Sequence, residues 1–138
     1  MTEVNCLLID DDPDDREFFK IALFKVPFYV NLYSAPDGLC GLDILNRARN
    51  KPQYIFLDLN MPLLSGKEFL SKIRQLKDYN AIPLIISSTS SFHTDIEECQ
   101  KLGASHFLTK VFNIQLLTDI ITKLVSGVEM PYVLNFQK

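Results

Sequence analysis

Short apolar runs alternate with longer stretches in which apolar residues recur at helical spacing, and the alternation repeats five times along the chain. Cys6 to Ile9 is apolar at every position, as a strand buried on both faces of a parallel sheet is. Asp12 then suits a helix N-cap, with Pro13 at the first helical position and Asp14 and Asp15 in the first turn. A first helix is predicted from Pro13 to about Lys25, stopping before Pro27. Val30 to Tyr33 reads as a second strand, and Leu39, Leu42, Leu45 and Ala48 give a second helix its apolar stripe. Tyr54 to Leu57 is a third, central strand, followed by a helix with Phe69, Leu70, Ile73 and Leu76 on one face. Leu84 to Ser87 is a fourth strand, and Thr94 to Leu102 a more polar helix closed by Gly103 at its C-terminal end. Phe107 and Leu108 belong to a short fifth strand. Ile114, Leu117, Ile121, Leu124 and Val125 mark a last helix that ends at Gly127.

Five strand–helix units predict an α/β domain with a parallel sheet and crossover helices, spanning residues 1–127. Residues 128–138 form a tail with Pro131 in it. Tyr132, Val133, Leu134 and Phe136 are too apolar for a freely solvated end, so the tail is expected to pack on this domain or on a partner. No internal repeat or linker to a second domain is visible.

With 138 residues, 47% of them hydrophobic and 22% charged, the chain can bury one substantial core, and disordered or fibrous classes are excluded. The net charge is −3 and the 14 lysines and arginines are scattered, so no basic stripe favours direct contact with nucleic acid. Cys6, Cys40 and Cys99 are odd in number and lack CxxC spacing. Free, mostly buried thiols are expected in place of a disulfide framework or zinc site. His93 and His106 have no metal-ligand spacing and are expected in solvated loops. Nothing at the N-terminus resembles a signal peptide, and no run approaches the ~20 apolar residues of a membrane span. A cytoplasmic protein without membrane insertion is expected.

In open α/β sheets ligands bind at the carboxyl ends of the strands. The informative polar residues sit there: Asp10 and Asp11 after the first strand, Asp58 after the third, Ser88 after the fourth, Lys110 after the fifth. Three carboxylates brought together repel unless a cation compensates, and their hard oxygens suit Mg²⁺, which keeps waters and leaves room for phosphoryl oxygens. Asp58 can then act as a nucleophile toward phosphorus and form an acyl phosphate. Lys110 supplies a positive charge and Ser88 a hydroxyl donor to the same oxygens. Asp12, Asp14 and Asp15 read as capping and dipole partners. Gly66 reads as a backbone residue ending the loop after the nucleophile. No GxxxxGK[ST] or GxGxxG loop occurs.

From about Asn5 to Gly127 the sequence resembles a receiver domain of two-component response regulators, the single-domain CheY-like type. The matching residues are Asp10 and Asp11 in LLIDD, Asp58 in LDLNMPLLSG, Ser88 in PLIISS and Lys110 in GASHFLTKVF. The resemblance implies a doubly wound, flavodoxin-like sheet of five parallel strands in the order 2-1-3-4-5, with helices on both faces. It implies Mg²⁺, for which Mn²⁺ can substitute, held by the side chains of Asp11 and Asp58 and the backbone carbonyl of Asn60, with Asp10 acting through water. Two positions depart from the family. Val111 follows the lysine where proline is usual, and a cis bond before valine costs ~3 to 4 kcal/mol. Either that loop is trans and reshaped, or surrounding packing holds the strain. Phe107 stands where tyrosine is common and has no hydroxyl to anchor a rotamer.

The implied function is a phosphoacceptor switch. Asp58 takes a phosphoryl group from a sensor histidine kinase; Ser88 and Phe107 then rearrange, changing the surface of the fourth helix, fifth strand and fifth helix. The receiver catalyses only its own phosphorylation and dephosphorylation, with Asn60 and Ser90 tuning the lifetime of the product. Output passes to a downstream protein target or a phosphotransfer protein, and the tail leaves a homodimer open. Two other readings compete: a constitutive receiver-like binding module that never uses phosphate, and an aspartyl-nucleophile phosphatase of the haloacid dehalogenase type. The latter keeps its nucleophile in an N-terminal DxD motif and its acidic pair late, the reverse of the order here.

Overall fold

Val4 opens the first strand because its neighbour begins in register with it at Val30, extending the strand two residues before the apolar run at Cys6. The computed structural model describes residues 3–135. The elements are β1 (Val4–Ile9), α1 (Pro13–Phe24), β2 (Val30–Ala35), α2 (Gly38–Arg47), β3 (Tyr54–Asp58), α3 (Gly66–Gln75), β4 (Leu84–Ser88), α4 (His93–Leu102), β5 (His106–Thr109) and α5 (Ile114–Val125). All strand pairs are parallel and the sheet order is β2-β1-β3-β4-β5, the expected doubly wound arrangement.

Strand side chains alternate between two cores. Leu7, Ile9, Ile55, Leu57, Leu84, Ile86 and Phe107 pack against Leu45 of α2, Phe69, Leu70 and Ile73 of α3 and Cys99 of α4. Cys6, Leu8, Phe56, Ile85 and Leu108 pack against Phe19 and Leu23 of α1 and Leu117, Ile121 and Leu124 of α5. Burial on both faces explains why the central strands β1, β3 and β4 read as apolar runs, whereas the edge strand β2 is more polar and partly exposed. Asp12 caps α1 as expected, accepting from the backbone N–H of Asp14 and Asp15, and Gly103 closes α4 at φ 106°.

Several sequence expectations need correction. Leu39 is exposed: the inward face of α2 is Gly38, Gly41 and Leu45. The helix lies so near β1 that a Cβ at Gly41 would come within 2.5 Å of Ile9 Cδ1. Leu76 is the C-cap of α3 and is partly exposed. The cysteines agree with expectation: all three are free, Cys6 and Cys99 are buried, and Cys40 alone is exposed, in the first turn of α2. His93 opens α4 and His106 lies in β5, its Nδ1 2.8 Å from the Pro131 carbonyl oxygen.

The tail packs on the domain along the outer edge of β5. Phe107 N–H donates to the Tyr132 carbonyl (2.8 Å), Leu134 N–H donates to the Phe107 carbonyl (3.0 Å), and Val133 bridges Phe107 in parallel. Asn135 continues this pairing with its side chain, accepting from Thr109 N–H at 3.0 Å and donating to the Thr109 carbonyl at 2.8 Å. Tyr132 Oη donates to the Ile96 carbonyl of α4. A sheet edge that would otherwise offer free backbone groups is covered. Phe136 lies outside the described residues.

Candidate functional site

Register brings the strand ends together. Leu57 pairs with Ile9 and Asp58 with Ser87, so Asp58 leaves β3 beside the point where Asp10 leaves β1. Asp10 is buried, Asp11 exposed and Asp58 buried, and one carboxylate oxygen from each lies within 4.8 Å of the others. Asp10 is fixed on both sides: Oδ1 accepts from Asp12 N–H at 3.0 Å and Oδ2 from Lys110 Nζ at 2.9 Å. Arg16 donates to the Asp10 carbonyl oxygen.

Burial pushes the Asp58 carboxyl up to about 7. The Lys110 charge opposes that rise, the Asp10 charge adds to it, the Asn60 backbone N–H opposes it, and a hydrogen bond shared with Asp11 adds to it. Burial alone would lower Lys110, but hydrogen bonds to Asp15 and Asp10 and the Asp58 charge outweigh it and hold the ammonium above its ordinary range. Three hard carboxylates with only one lysine between them carry excess negative charge. That donor set fits a divalent cation such as Mg²⁺, with Asp11 supplying the solvent-facing side.

The loop after Asp58 is shaped by close approach. A Cβ on Gly66 would stand 2.4 Å from the Asp58 carbonyl oxygen and 2.7 Å from Leu59 Cα, and Gly66 N–H donates to the Leu59 carbonyl. The loop therefore folds back on the backbone of Asp58 and Leu59. Leu63 takes a positive φ of 70° within it, inside a tight turn closed by Leu64 N–H on the Pro62 carbonyl. Asn60, two residues past Asp58, is exposed.

Ser88 is fully buried, and its Oγ accepts from Ser90 N–H at 3.0 Å. It pairs with Thr109, and its carbonyl accepts from Lys110 N–H at 2.7 Å, which ties the ends of β4 and β5 together. Phe107, paired with Ile86, is fully buried on the α4 side of the sheet, the side to which alternation also assigns Ser88. Ser90 Oγ donates to Asp95 at 2.7 Å and accepts from Phe92 N–H; Asp95 is held in turn by Lys67 of α3. Its hydroxyl therefore serves the start of α4. The Lys110–Val111 peptide is trans. Val111 packs against the core on the α1–α5 face, so the loop is the reshaped alternative.

The structure thus gathers Asp10, Asp11, Asp58 and Lys110 at one place, with Ser88 on the adjoining strand end. Sequence reasoning missed Asp15. Read as a dipole partner, it lies 2.7 Å from Lys110 Nζ. Its place in the first turn of the helix that directly follows the acidic strand end was the available signal.

Residues 6–122 match the family model of the response regulator receiver domain. The chain is 30% identical over 128 residues to response regulator Rcp1 of Synechocystis sp., covering 89% of this chain and 84% of that one. It is 29% identical over 117 residues to sensor histidine kinase CheAY of Helicobacter pylori, covering 85% of this chain but only 14% of that protein. Among solved structures, the Mn²⁺-bound form of Rcp1 superposes with a TM-score of 0.78 at 27% identity, covering 90% of this chain and 93% of that one.

Proposed function

Because the chain belongs to the response regulator receiver domain family, we propose that it is a phosphoacceptor switch whose nucleophile is Asp58 and whose phosphoryl donor is a sensor histidine kinase. The observation that carries this reading is the meeting of the Asp10, Asp11 and Asp58 carboxylates within 4.8 Å, with Lys110 against them. In the transfer an Asp58 oxygen bonds to phosphorus, the phosphorus–nitrogen bond of the donor phosphohistidine breaks, and the imidazole leaves with the electron pair and takes up a proton. Asp11 and Asp58, with the Asn60 carbonyl and Asp10 through water, would hold Mg²⁺, and the Mn²⁺ of the Rcp1 structure supports a divalent ion here. The cation supplies charge neutralisation for the phosphoryl oxygens. Lys110 and Ser88 bind those oxygens from the other strand ends.

The receiver unit is residues 1–127 and residues 128–138 are an appended tail, of which residues 132–135 lie against β5 on its output side. Drawing Ser88 toward a phosphoryl group opens space on the face it shares with Phe107, and the signal leaves through α4, β5 and α5 to a downstream protein or phosphotransfer protein. Complete switching requires ~5.5 kcal/mol of preference for the phosphorylated form. Asn60 and Ser90, each two residues past a site residue, tune the lifetime. The chemistry is confined to the protein's own modification, so it is a signalling protein and not a turnover enzyme.

Incubation with acetyl phosphate and Mg²⁺, followed by intact mass measurement, tests the reading. Wild type should gain one phosphoryl group and Asp58→Asn none. An unlabelled wild type, under conditions where a known receiver labels, would favour a constitutive binding module, and steady phosphate release from a general substrate would favour a phosphatase.

A further inference from the structure

Lys110 is gripped by a carboxylate that the phosphoacceptor reading leaves without a role. Its Nζ lies 2.7 Å from Asp15 Oδ2, 2.9 Å from Asp10 Oδ2 and 3.8 Å from Asp58 Oδ2. An ammonium has three N–H donors. Two are engaged by Asp15 and Asp10, and 3.8 Å is too long for a hydrogen bond to Asp58. The last donor is therefore free for an oxygen that Asp58 does not yet carry.

Of the two anchors, only Asp15 is free of other duties. Asp10 also accepts from Asp12 N–H and belongs to the carboxylate cluster, so a cation there competes with Lys110 for it. Asp15 sits in the first turn of α1, whose start is fixed by the Asp12 cap. The loop after Lys110 docks on the same helix, since the Phe112 ring meets Phe18 edge-on at 5.8 Å between centroids. Asp15 and Phe18 are three residues apart and present one face of α1 to this loop. The loop that carries Lys110 and the helix that carries Asp15 are thus packed against one another.

Building on the phosphoacceptor reading, we propose that Asp15 is a positioning residue for phosphoryl transfer, which holds the Lys110 ammonium from the α1 side so that its remaining N–H meets the incoming phosphoryl oxygen.

The test compares labelling rates with acetyl phosphate and Mg²⁺ in Asp15→Asn, Asp15→Glu, Asp14→Asn, Lys110→Ala and the Asp15→Asn/Lys110→Ala double variant. Asp15→Asn should slow labelling roughly tenfold, the lower end of what losing a partner that orients a functional group costs. Asp15→Glu should recover part of that rate. Asp14→Asn removes the same charge from the same turn without touching Lys110 and should leave the rate unchanged. In the Lys110→Ala background Asp15→Asn should have no further effect, because the two act through one contact. In metal-free protein, nitrogen-15 NMR should resolve the Lys110 ammonium in wild type and lose it in Asp15→Asn. Equal rates in wild type and Asp15→Asn, equal slowing by Asp14→Asn, a full effect without Lys110, or an unchanged ammonium signal would each overturn the role of Asp15. A wild type that never labels overturns the phosphoacceptor reading itself.

Discussion

Lys110 Nζ stands 2.9 Å from Asp10 Oδ2 and 3.8 Å from Asp58 Oδ2, so a single ammonium separates two buried carboxylates. Removing it leaves both without compensation. Lys110→Met should destabilise the metal-free protein by about 3 kcal/mol, the cost of orphaning buried charge, and Mg²⁺ should restore part of the loss. Urea unfolding with and without Mg²⁺ measures both; an unchanged midpoint without metal would contradict the placement of Lys110.

The Asp58 carboxyl, ordinarily 3.8, is pushed up to about 7, chiefly by burial. A raised folded value means that the folded state holds this proton more tightly than the unfolded chain does. The stabilisation is fully present below the unfolded value and is lost as pH rises through about 7. Metal-free wild type should therefore lose stability across that interval. Asp58→Asn should flatten the curve, as read by denaturant midpoints through the same range.

Gly66 is constrained by space. Its missing Cβ would fall 2.4 Å from the Asp58 carbonyl oxygen, and backbone cannot swing aside as a side chain can. Gly66→Ala should cost about 3 kcal/mol, the upper end of overpacking, and should displace the loop carrying Asn60. Thermal unfolding and the labelling rate should both fall; wild-type values for both would show the loop to be free of Asp58.

Asn135 holds Thr109, the residue before Lys110, by its N–H and its carbonyl. Asn135→Ala should speed amide exchange at Thr109 while leaving the buried strand β3 protected. Unchanged exchange at Thr109 would place the tail elsewhere in solution.

The sheet was legible because strands buried on both faces leave unbroken apolar runs, and so was the meeting of the strand ends, since Asp10 and Asp58 directly follow such runs and Lys110 follows one after Thr109. The inward face of α2 was not, since its contact with Ile9 is made by Gly41, whose lack of a side chain leaves no apolar signal. Asp15 was hidden differently. An acidic residue in a first helical turn has a sufficient local explanation, and its partner Lys110 is 95 residues away in sequence. The tail's packing was legible from its apolar residues, but its seat on β5 was not, because the pairing of Phe107 with Tyr132 and Leu134 is made by backbone groups that side-chain pattern does not encode.

The central claim is that Asp58 becomes phosphorylated. Borohydride reduction of the acetyl phosphate-treated protein converts an aspartyl phosphate to homoserine, and peptide mapping then locates it. The expected result is homoserine at position 58 only, dependent on Mg²⁺. Modification at another aspartate, or none in a folded protein supplied with Mg²⁺, would contradict the account.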